Sequence, residues 1–242
     1  MKSTVALMII GRGKMADLLM STPIAGVDFV SNVRENFEPA RMVNGPLAGT
    51  DEIIVHVGSG RLLPYVVHYC TKWNVPLIQA SSSLKNSVGE VIGIPESVDF
   101  VAINAPNLAL PVAALFKILP GFGKMIQSIG GKVDVVESHQ ASKTSAPITA
   151  QKIAGFFGRP PEKVASIRNV DIQQHDLGVP KEFLDGHGYH YITIQSCGVL
   201  LQISTKVNGR LPYVDGLEVL IQKIRDQEVP NGLYELDQFL FG

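Results

Sequence analysis

The chain has 242 residues, of which 45% are apolar and 18% are charged. Such a chain is long enough for one or two domains and apolar enough to bury a core, which excludes intrinsic disorder. Its 21 basic and 22 acidic residues give a net charge of −1. It therefore lacks the basic excess with which nucleic-acid-binding proteins neutralise phosphates.

No apolar run in the sequence approaches the roughly 18 residues of a membrane helix. The two cysteines, Cys70 and Cys197, are too few for a disulfide framework, and both lie in apolar stretches. We therefore expect two buried, reduced thiols in a cytoplasmic protein with neither a membrane nor a nucleic-acid partner.

In the first hundred residues, short apolar strands alternate with helices. Continuous apolar runs are typical of strands that are buried on both faces of a parallel sheet. We predict strands at 4–10, 26–33, 52–57, 76–79 and 99–104, helices at 14–20 and 61–73, and a loop at 34–50. This alternation with short links is typical of a doubly wound α/β domain.

From about residue 107 the pattern becomes that of an α+β domain. We predict helices at 108–119, 121–129, 144–157 and 213–225, and strands at 132–138, 164–172, 188–197 and 199–207. The first two helical segments form either one helix or a pair. Ser145 is expected to open the helix at 144–157, with Pro147 in its first turn. The remaining residues, 230–242, are predicted to be a short tail that returns to the first domain.

A glycine-rich turn follows the first predicted strand. Gly11 and Gly13, with the small Ala16 three residues later, fit the turn that brings a dinucleotide pyrophosphate onto a helix N-terminus. Such turns also occur without a ligand, but the position between a strand and a helix favours the functional interpretation. Arg34 and Glu35 follow the second strand. Arg34 could bind the 2′-phosphate of a dinucleotide and Glu35 a free ribose hydroxyl, or the two could form a solvated surface pair.

A histidine and a lysine lie between a predicted strand and the next helix. His139 and Lys143 could supply a proton and a cation for reduction of a doubly charged imine acid, although such a pair is more often a surface feature. His187 and His190 have no matching cluster of ligands, so we favour structural roles and expect no metal site. His56 is predicted to be a core histidine with satisfied hydrogen bonds.

Taken in chain order, these motifs resemble those of dihydrodipicolinate reductases, enzymes of lysine and diaminopimelate biosynthesis. The resemblance covers nearly the whole chain, and its order and spacing make the fold assignment specific. The matching segments are Gly13-Lys14-Met15-Ala16, Ala105-Pro106-Asn107-Leu108-Ala109, Glu137-x-His139, Lys143, Ala146-Pro147, Gly188-Tyr189-His190-Tyr191, Arg210 and Gly232-Leu233-Tyr234-Glu235-Leu236. Arg34-Glu35 resembles the family's acid and arginine pair in reversed order, and Gln79-Ala80-Ser81-Ser82 stands in place of its Gly-Thr-Thr-Gly turn.

The resemblance implies a Rossmann-like doubly wound parallel sheet domain and an α+β domain with an open mixed sheet. It implies that 1–106 and 221–242 bind NADPH or NADH, and that 107–220 bind a small dicarboxylate substrate and build a homotetramer. The cofactor would pass a hydride to C4 of the dihydrodipicolinate skeleton. The implied cofactor-binding residues are Ile10, Gly11, Arg12, Gly13, Lys14, Met15, Arg34, Gln79, Ala80, Ser81, Ala105, Pro106, Asn107 and Leu108.

For the substrate, the resemblance implies that His139 is the proton donor and that Lys143 binds a carboxylate. The further substrate-binding residues would be Gln140, Thr149, Ala150 and Arg210. The implied reaction is the reduction of 4-hydroxy-tetrahydrodipicolinate to tetrahydrodipicolinate.

The chain departs from the family's signature at three places, one of which is Ser145 in place of an aspartate, a change that keeps a helix-capping residue. Gln140 replaces a second histidine, and Ile148-Thr149-Ala150 replaces Ser-Gly-Thr, where backbone amides survive and Thr149 could supply the lost hydroxyl. Two alternatives therefore stay open: a paralogous reductase for another unsaturated or imine acid, and a non-catalytic dinucleotide-binding sensor or assembly protein. Residues 175–188 resemble an insertion with no predicted role.

Overall fold

The structure is a computed structural model that describes residues 4–33, 45–81, 84 and 90–242. The chain forms two compact units: the first contains Met1–Leu108 and Tyr213–Gly242, and the second contains Ala109–Pro212. The strands are β1 (Thr4–Ile10), β2 (Phe29–Val33), β3 (Thr50–His56), β4 (Leu77–Gln79), β5 (Val101–Asn104), β6 (Lys132–His139), β7 (Ala165–Ile167), β8 (His187–Ser196), β9 (Val199–Asn208) and β10 (Gly232–Glu235). The helices are α1 (Lys14–Ser21), α2 (Leu63–Trp73), α3 (Leu110–Ser128), α4 (Ile148–Phe156), α5 (Leu211–Asp226) and α6 (Leu236–Phe241).

The first unit contains a parallel sheet of six strands in the order β10-β5-β4-β3-β1-β2. The central strands β1 and β3 are buried along most of their length, which explains their continuous apolar runs. The second unit contains a mixed sheet of four strands in the order β7-β6-β8-β9, in which only the β6–β7 pair is parallel. The predicted fold class is confirmed.

The carboxyl ends of the parallel strands lie along one edge of the first sheet. Backbone hydrogen bonds of 2.8 to 3.1 Å continue the ladder past the strand ends. They run from the amides of Gly11, Val57, Ala80 and Ala105 to the carbonyls of Val33, Ile10, His56 and Gln79, respectively. The loops that follow β1, β4 and β5 are therefore held side by side at this edge, which is where ligands bind in open α/β sheets.

In the second unit, helices α3 and α4 pack with one face of the mixed sheet. Their core is a single apolar cluster that includes Leu119, Ile153, Val135 and Ile192. Because side chains alternate along a strand, Glu137 and His139 share the face of Val135, at the end of β6. Along this face of β6, the apolar core residues are therefore followed by Glu137 and His139.

Of the two alternatives predicted for 108–129, the structure has the single helix, α3. It continues through Pro120 because the packing of buried side chains before and after the proline offsets the roughly 3 kcal/mol that proline costs a helix. Three other predicted elements differ in the structure. The strand predicted at 164–172 is only β7, since the Asn169 side chain accepts from the amide of Ile172 and starts a helical turn instead. The predicted tail contains strand β10 and helix α6.

The third difference is the start of α4. The helix begins at Ile148 with Pro147 at its N-cap and no side-chain cap. Ser145 does not cap it, because its hydroxyl accepts a hydrogen bond from Lys143 instead.

The two cysteines have different environments. Cys70 is buried as predicted, but Cys197 is exposed, so that prediction was wrong. Cys197 and Gly198 form the turn between β8 and β9, both at positive φ, and such a two-residue turn lies at the surface. Among the described residues, no helix has both the length and the apolar character needed to cross a membrane.

The contact between α3 and α4 depends on a glycine, which gives a first test. A Cβ added at Gly123 would lie 2.1 Å from the Phe156 carbonyl oxygen, whereas one at Gly121 would meet nothing within 4 Å. We expect Gly123→Ala to lower the free energy of unfolding by about 1–3 kcal/mol, because the helices must separate. Denaturant unfolding of the wild-type protein and of Gly123→Ala measures the change in the free energy of unfolding.

The matched control is Gly121→Ala in the same helix. It should leave the stability unchanged or raise it by up to about 1 kcal/mol, because alanine favours helix. Equal stabilities of the two variants would show that the close approach is not a constraint.

Candidate active site

A buried carboxylate lies at the end of β6. Glu137 is fully buried, and its two oxygens have different partners. Oε2 accepts a hydrogen bond from Nδ1 of His139, and Oε1 accepts one from Nη2 of Arg168 at 2.7 Å. Burial alone would raise the pKa of Glu137, but hydrogen bonds from His139, Arg168 and Ser166 outweigh it and lower the pKa to about 2. Glu137 is therefore a carboxylate.

Two further histidines lie on the neighbouring strand β8. His190 pairs with Glu137 in register, and its ring meets that of His139 edge-on at 5.9 Å. Burial and the nearby His139 lower the pKa of His190 to about 4, so its imidazole is neutral. His187 lies on the other face of the sheet, where it bonds the Ser138 hydroxyl at 2.9 Å, and burial lowers its pKa.

Lys143 follows His139 in a short turn. The amide of Lys143 donates to the Gln140 carbonyl at 3.0 Å, and its ammonium donates to the Ser145 hydroxyl at 2.8 Å. Burial lowers the pKa of Lys143, while Glu137 acts in the opposite direction. The turn thus carries His139, Gln140 and Lys143 at the same end of the sheet.

Helix α4 begins directly after this turn. Its Ile148 amide donates to the Ala146 carbonyl and its Gln151 amide to the Pro147 carbonyl. Within the described part of the chain, the amides of Thr149 and Ala150 have no acceptor, as is normal in the first turn of a helix. An anion bound there would receive both hydrogen bonds and the favourable end of the helix dipole.

Arg210 lies at the same end of the second sheet. The last residue of β6, His139, pairs with Gly188, which in turn pairs with Val207. Arg210 comes two residues after the end of β9, and its guanidinium lies 3.2 Å from the position that a Cβ on Gly186 would occupy. The second unit therefore brings its predicted substrate-binding residues to one end of the sheet.

In the first unit, two glycines at positive φ form the turn after β1. A Cβ on Gly11 would lie 2.7 Å from the amide nitrogen of Gly58, so the two loops touch backbone to backbone. Gly13 is the N-cap of α1, and a Cβ there would meet nothing within 4 Å. The turn therefore packs against the Gly58 loop at Gly11 and leaves space at Gly13. That space fits a pyrophosphate at the helix N-terminus.

The other residues predicted to bind a cofactor lie on neighbouring loops of this edge. Ile10 ends β1 and Gln79 ends β4, while Arg12, Lys14 and Met15 flank the glycines. Ala80 and Ser81 follow β4, and 105–108 follow β5. Arg34, with Glu35, lies outside the described residues.

A polar row crosses the same edge of the sheet. His56, Gln79, Asn104 and Glu235 are paired in register on neighbouring strands. Asn104 donates to Glu235 at 2.8 Å. His56 is buried as predicted, and that burial lowers its pKa to about 4. Its hydrogen bonds are not all satisfied, however. Nε2 bonds the Ser59 carbonyl, but Nδ1 has no partner in the described structure.

Metal ligands do not cluster in the described residues. No group of three or more His, Cys, Asp or Glu side chains among them could hold a metal ion.

Both the sequence and the fold of the chain are similar to those of proteins named as reductases. No family model matches the chain. A chloroplastic 4-hydroxy-tetrahydrodipicolinate reductase 1 from Arabidopsis thaliana is 28% identical over 66% of this chain and 50% of its own length. A 4-hydroxy-tetrahydrodipicolinate reductase from Polynucleobacter necessarius is 28% identical over 64% of this chain and 61% of its own length.

Among solved structures, a dipicolinate-bound dihydrodipicolinate reductase from Paenisporosarcina sp. TG-14 has a similar fold. It superposes with a TM-score of 0.60 and 15% identity, over 97% of this chain and 98% of its own. The chain is therefore similar in sequence to proteins named 4-hydroxy-tetrahydrodipicolinate reductase and has the fold of a dihydrodipicolinate reductase. The matched segments span about half of the Arabidopsis relative's length.

Two residues of this site were missed by sequence reasoning. Arg168 lies within a segment predicted as strand, and only the rule that a buried carboxylate needs a cation would have pointed to it. Gln173 is fully buried, and its side-chain amide donates to the carbonyls of His139 at 2.7 Å and Ile167 at 3.0 Å. It belongs to the helical turn Ile172–Asp176, and no sequence pattern marks it.

The neutral His190 makes stability depend on pH. Its pKa is about 4 in the folded protein and 6.5 when the ring is exposed to water, so the unfolded chain binds the proton more tightly between these values. Stability is therefore lost as pH falls from about 6.5 to 4, by up to about 3 kcal/mol from this group. We expect His190→Gln to lose correspondingly less stability over this range.

Denaturant unfolding at pH 7 and pH 4 measures the difference. His56 contributes the same pH dependence to both proteins and cancels in the comparison. Parallel losses in the wild-type protein and His190→Gln would contradict a buried, neutral His190.

Proposed function

We propose that the protein is an NAD(P)H-dependent oxidoreductase that reduces 4-hydroxy-tetrahydrodipicolinate to tetrahydrodipicolinate in lysine and diaminopimelate biosynthesis. The observation that carries the proposal is the turn after β6, in which His139, bonded to Glu137, lies four residues before the half-buried Lys143. The relatives named as reductases support the class of reaction.

The second unit offers cations and amides for a substrate with two carboxylates. The Lys143 ammonium and the free amides of Thr149 and Ala150 suit one carboxylate, since each supplies a hydrogen-bond donor with positive charge or dipole. The Arg210 guanidinium suits the other, because its planar fork matches a carboxylate. Gln140 adds an uncharged donor and acceptor beside His139.

His139 is the group that can exchange a proton with the substrate. Its Nδ1 is engaged with Glu137, which leaves Nε2 for the substrate. Overall, the substrate gains a hydride at C4 and a proton and loses its hydroxyl as water. Histidine is suited to the proton transfer because it can change charge near neutral pH.

The first unit fits a dinucleotide. When bound, a reduced nicotinamide dinucleotide supplies the hydride. The turn at Gly11 and Gly13 would receive its pyrophosphate, and Gln79–Ser81 and 105–108 would line the same edge of the sheet. Either NADPH or NADH is proposed, because Arg34 favours a 2′-phosphate and Glu35 disfavours it; dissociation constants for the two decide between them.

One observation favours a second candidate, a paralogous reductase for another unsaturated or imine acid. Ile148 is 49% exposed at the start of α4, where the family's pattern has a serine. An apolar side chain beside the free amides suits a less polar substrate than a dicarboxylate.

The direct test supplies purified protein with substrate generated enzymatically from pyruvate and aspartate semialdehyde. Loss of reduced-nicotinamide absorbance with NADH or NADPH is the expected result. Tight dinucleotide binding without oxidation would instead favour the paralogue, and binding with no turnover of any imine acid would favour a non-catalytic sensor.

We expect Lys143→Ala to lower kcat/KM by about 10²–10⁴-fold, because a partly desolvated cation for the substrate's charge is lost. Dinucleotide affinity should stay within about twofold, measured by fluorescence titration. The control is Lys163→Ala, which removes an exposed lysine from the same unit. A similar loss in both variants would contradict the role of Lys143.

We also propose that the chain forms a homotetramer through its open sheet and acts in the cytoplasm, which its two free cysteines favour. Strand β9 lies at the edge of the sheet. Its first residues, Val199, Leu200 and Leu201, are exposed hydrophobic side chains, and such a stretch on an edge strand favours association.

If this edge is the interface, Leu200→Glu should shift the molecular mass measured by light scattering from four chains to fewer. A buried charge without a partner costs several kcal/mol, which is enough to separate subunits. Val170→Glu, at an exposed hydrophobic side chain outside the sheet, should leave the mass unchanged. A monomeric wild-type protein would refute the proposal outright.

A further inference from the structure

We propose that Glu137 and Arg168 are positioning residues that hold the His139 ring with its proton on Nδ1 and so reserve Nε2 for the substrate. The assignment to substrate reduction rests on the proposed function. The ring geometry itself is a property of the free protein.

The first step of the argument is the chemistry of the buried acid. An ionised carboxylate can only accept hydrogen bonds. Because Glu137 is ionised and its Oε2 bonds Nδ1 of His139, Nδ1 must carry the hydrogen. The neutral ring therefore has its lone pair on Nε2, and the protonated ring has its second N–H there. Proton exchange with a substrate is thereby confined to Nε2.

Arg168 determines which carboxylate oxygen faces the histidine. Its Nη2 donates to Oε1 of Glu137 at 2.7 Å, and its Nη1 donates to the Ile167 carbonyl at 2.9 Å. The second bond anchors the guanidinium to the end of β7. With Oε1 occupied, Oε2 is left for His139, so the carboxylate cannot exchange its two oxygens freely.

The backbone of His139 is held as well. Gln173 donates from its side-chain amide to the carbonyls of both His139 and Ile167, which lie at the ends of β6 and β7. The helical turn Ile172–Asp176 therefore joins the same two strand ends that Arg168 and Glu137 join through their side chains.

The His139 ring has two neighbours on β8. Gly188 lies opposite His139 in register, and a Cβ there would lie only 3.2 Å from Nε2. The nearby His190 is uncharged, so it places no second cation beside the ring. A glycine and a neutral ring thus border the nitrogen that the carboxylate leaves free.

The test compares Glu137→Gln with the wild-type protein. A glutamine amide can donate to Nδ1 and so permits the other tautomer. We expect the ¹⁵N chemical shifts of the His139 ring, assigned by their loss in His139→Gln, to report Nδ1–H in the wild type and Nε2–H in the variant. We expect kcat to fall by about 10²–10⁴-fold with KM changed less than about threefold, as for a wrongly held catalytic histidine.

Arg168 provides a second, independent pair of variants. Arg168→Met frees the carboxylate to turn but leaves it a hydrogen-bond acceptor, so the Nδ1–H signal should stay while kcat falls by about 10-fold or more. Arg168→Lys keeps a cation beside Oε1 and should retain most of the kcat. The control is Arg159→Met, since Arg159 pairs with Asp134 at 3.4 Å on the exposed surface of the same unit. It should change neither the tautomer nor kcat.

The outcomes separate this inference from the proposed function. Nε2–H in the wild type, or an unchanged tautomer in Glu137→Gln, overturns the positioning of His139 by Glu137, whatever the substrate. An unchanged kcat in Arg168→Met overturns the role of Arg168. If the dipicolinate-type substrate is not reduced but the tautomer switches as expected, the positioning role stands and the proposed reaction falls.

Discussion

Burial of one carboxylate organises the active end of the second unit. A charge removed from water needs partners, and leaving it unpaired costs several kcal/mol. Glu137 obtains them from three places: His139 on its own strand, Ser166 on β7, and Arg168 just after it. The hydrogen bonds that Glu137 accepts therefore hold the ends of β6 and β7 together. A histidine suited to proton transfer lies where these elements converge.

The first unit shapes the edge of its parallel sheet mainly with backbone. This edge is built from amide–carbonyl bonds that run past the strand ends, and from two loops that touch at Gly11 and Gly58. A few side chains add to it, as where Asn32 donates to the Gly11 carbonyl, but amide–carbonyl bonds place few demands on residue type. This explains how a chain with 15% identity to a solved reductase keeps its fold.

Much of the fold was predictable because buried parallel strands appear as continuous apolar runs. The helical turn at Ile172–Asp176 was not, because it depends on one Asn169 side chain. In the site, His139 and Lys143 were found through their resemblance to a family signature. Arg168 was missed because its pairing with Glu137 depends on the register of β6 and β7, which local sequence does not reveal.

The first unit is discontinuous, since strand β10 and helix α6 come from the far end of the chain. Strand β5 pairs with β4 on one side and with β10 on the other, and more than a hundred residues separate β5 from β10. During synthesis, the continuous second unit is therefore complete while one edge of β5 still lacks its partner. An unpaired strand edge can pair with other chains. Pairing with Gly232–Glu235 covers this edge of β5 and leaves the four-residue strand β10 as the edge of the sheet.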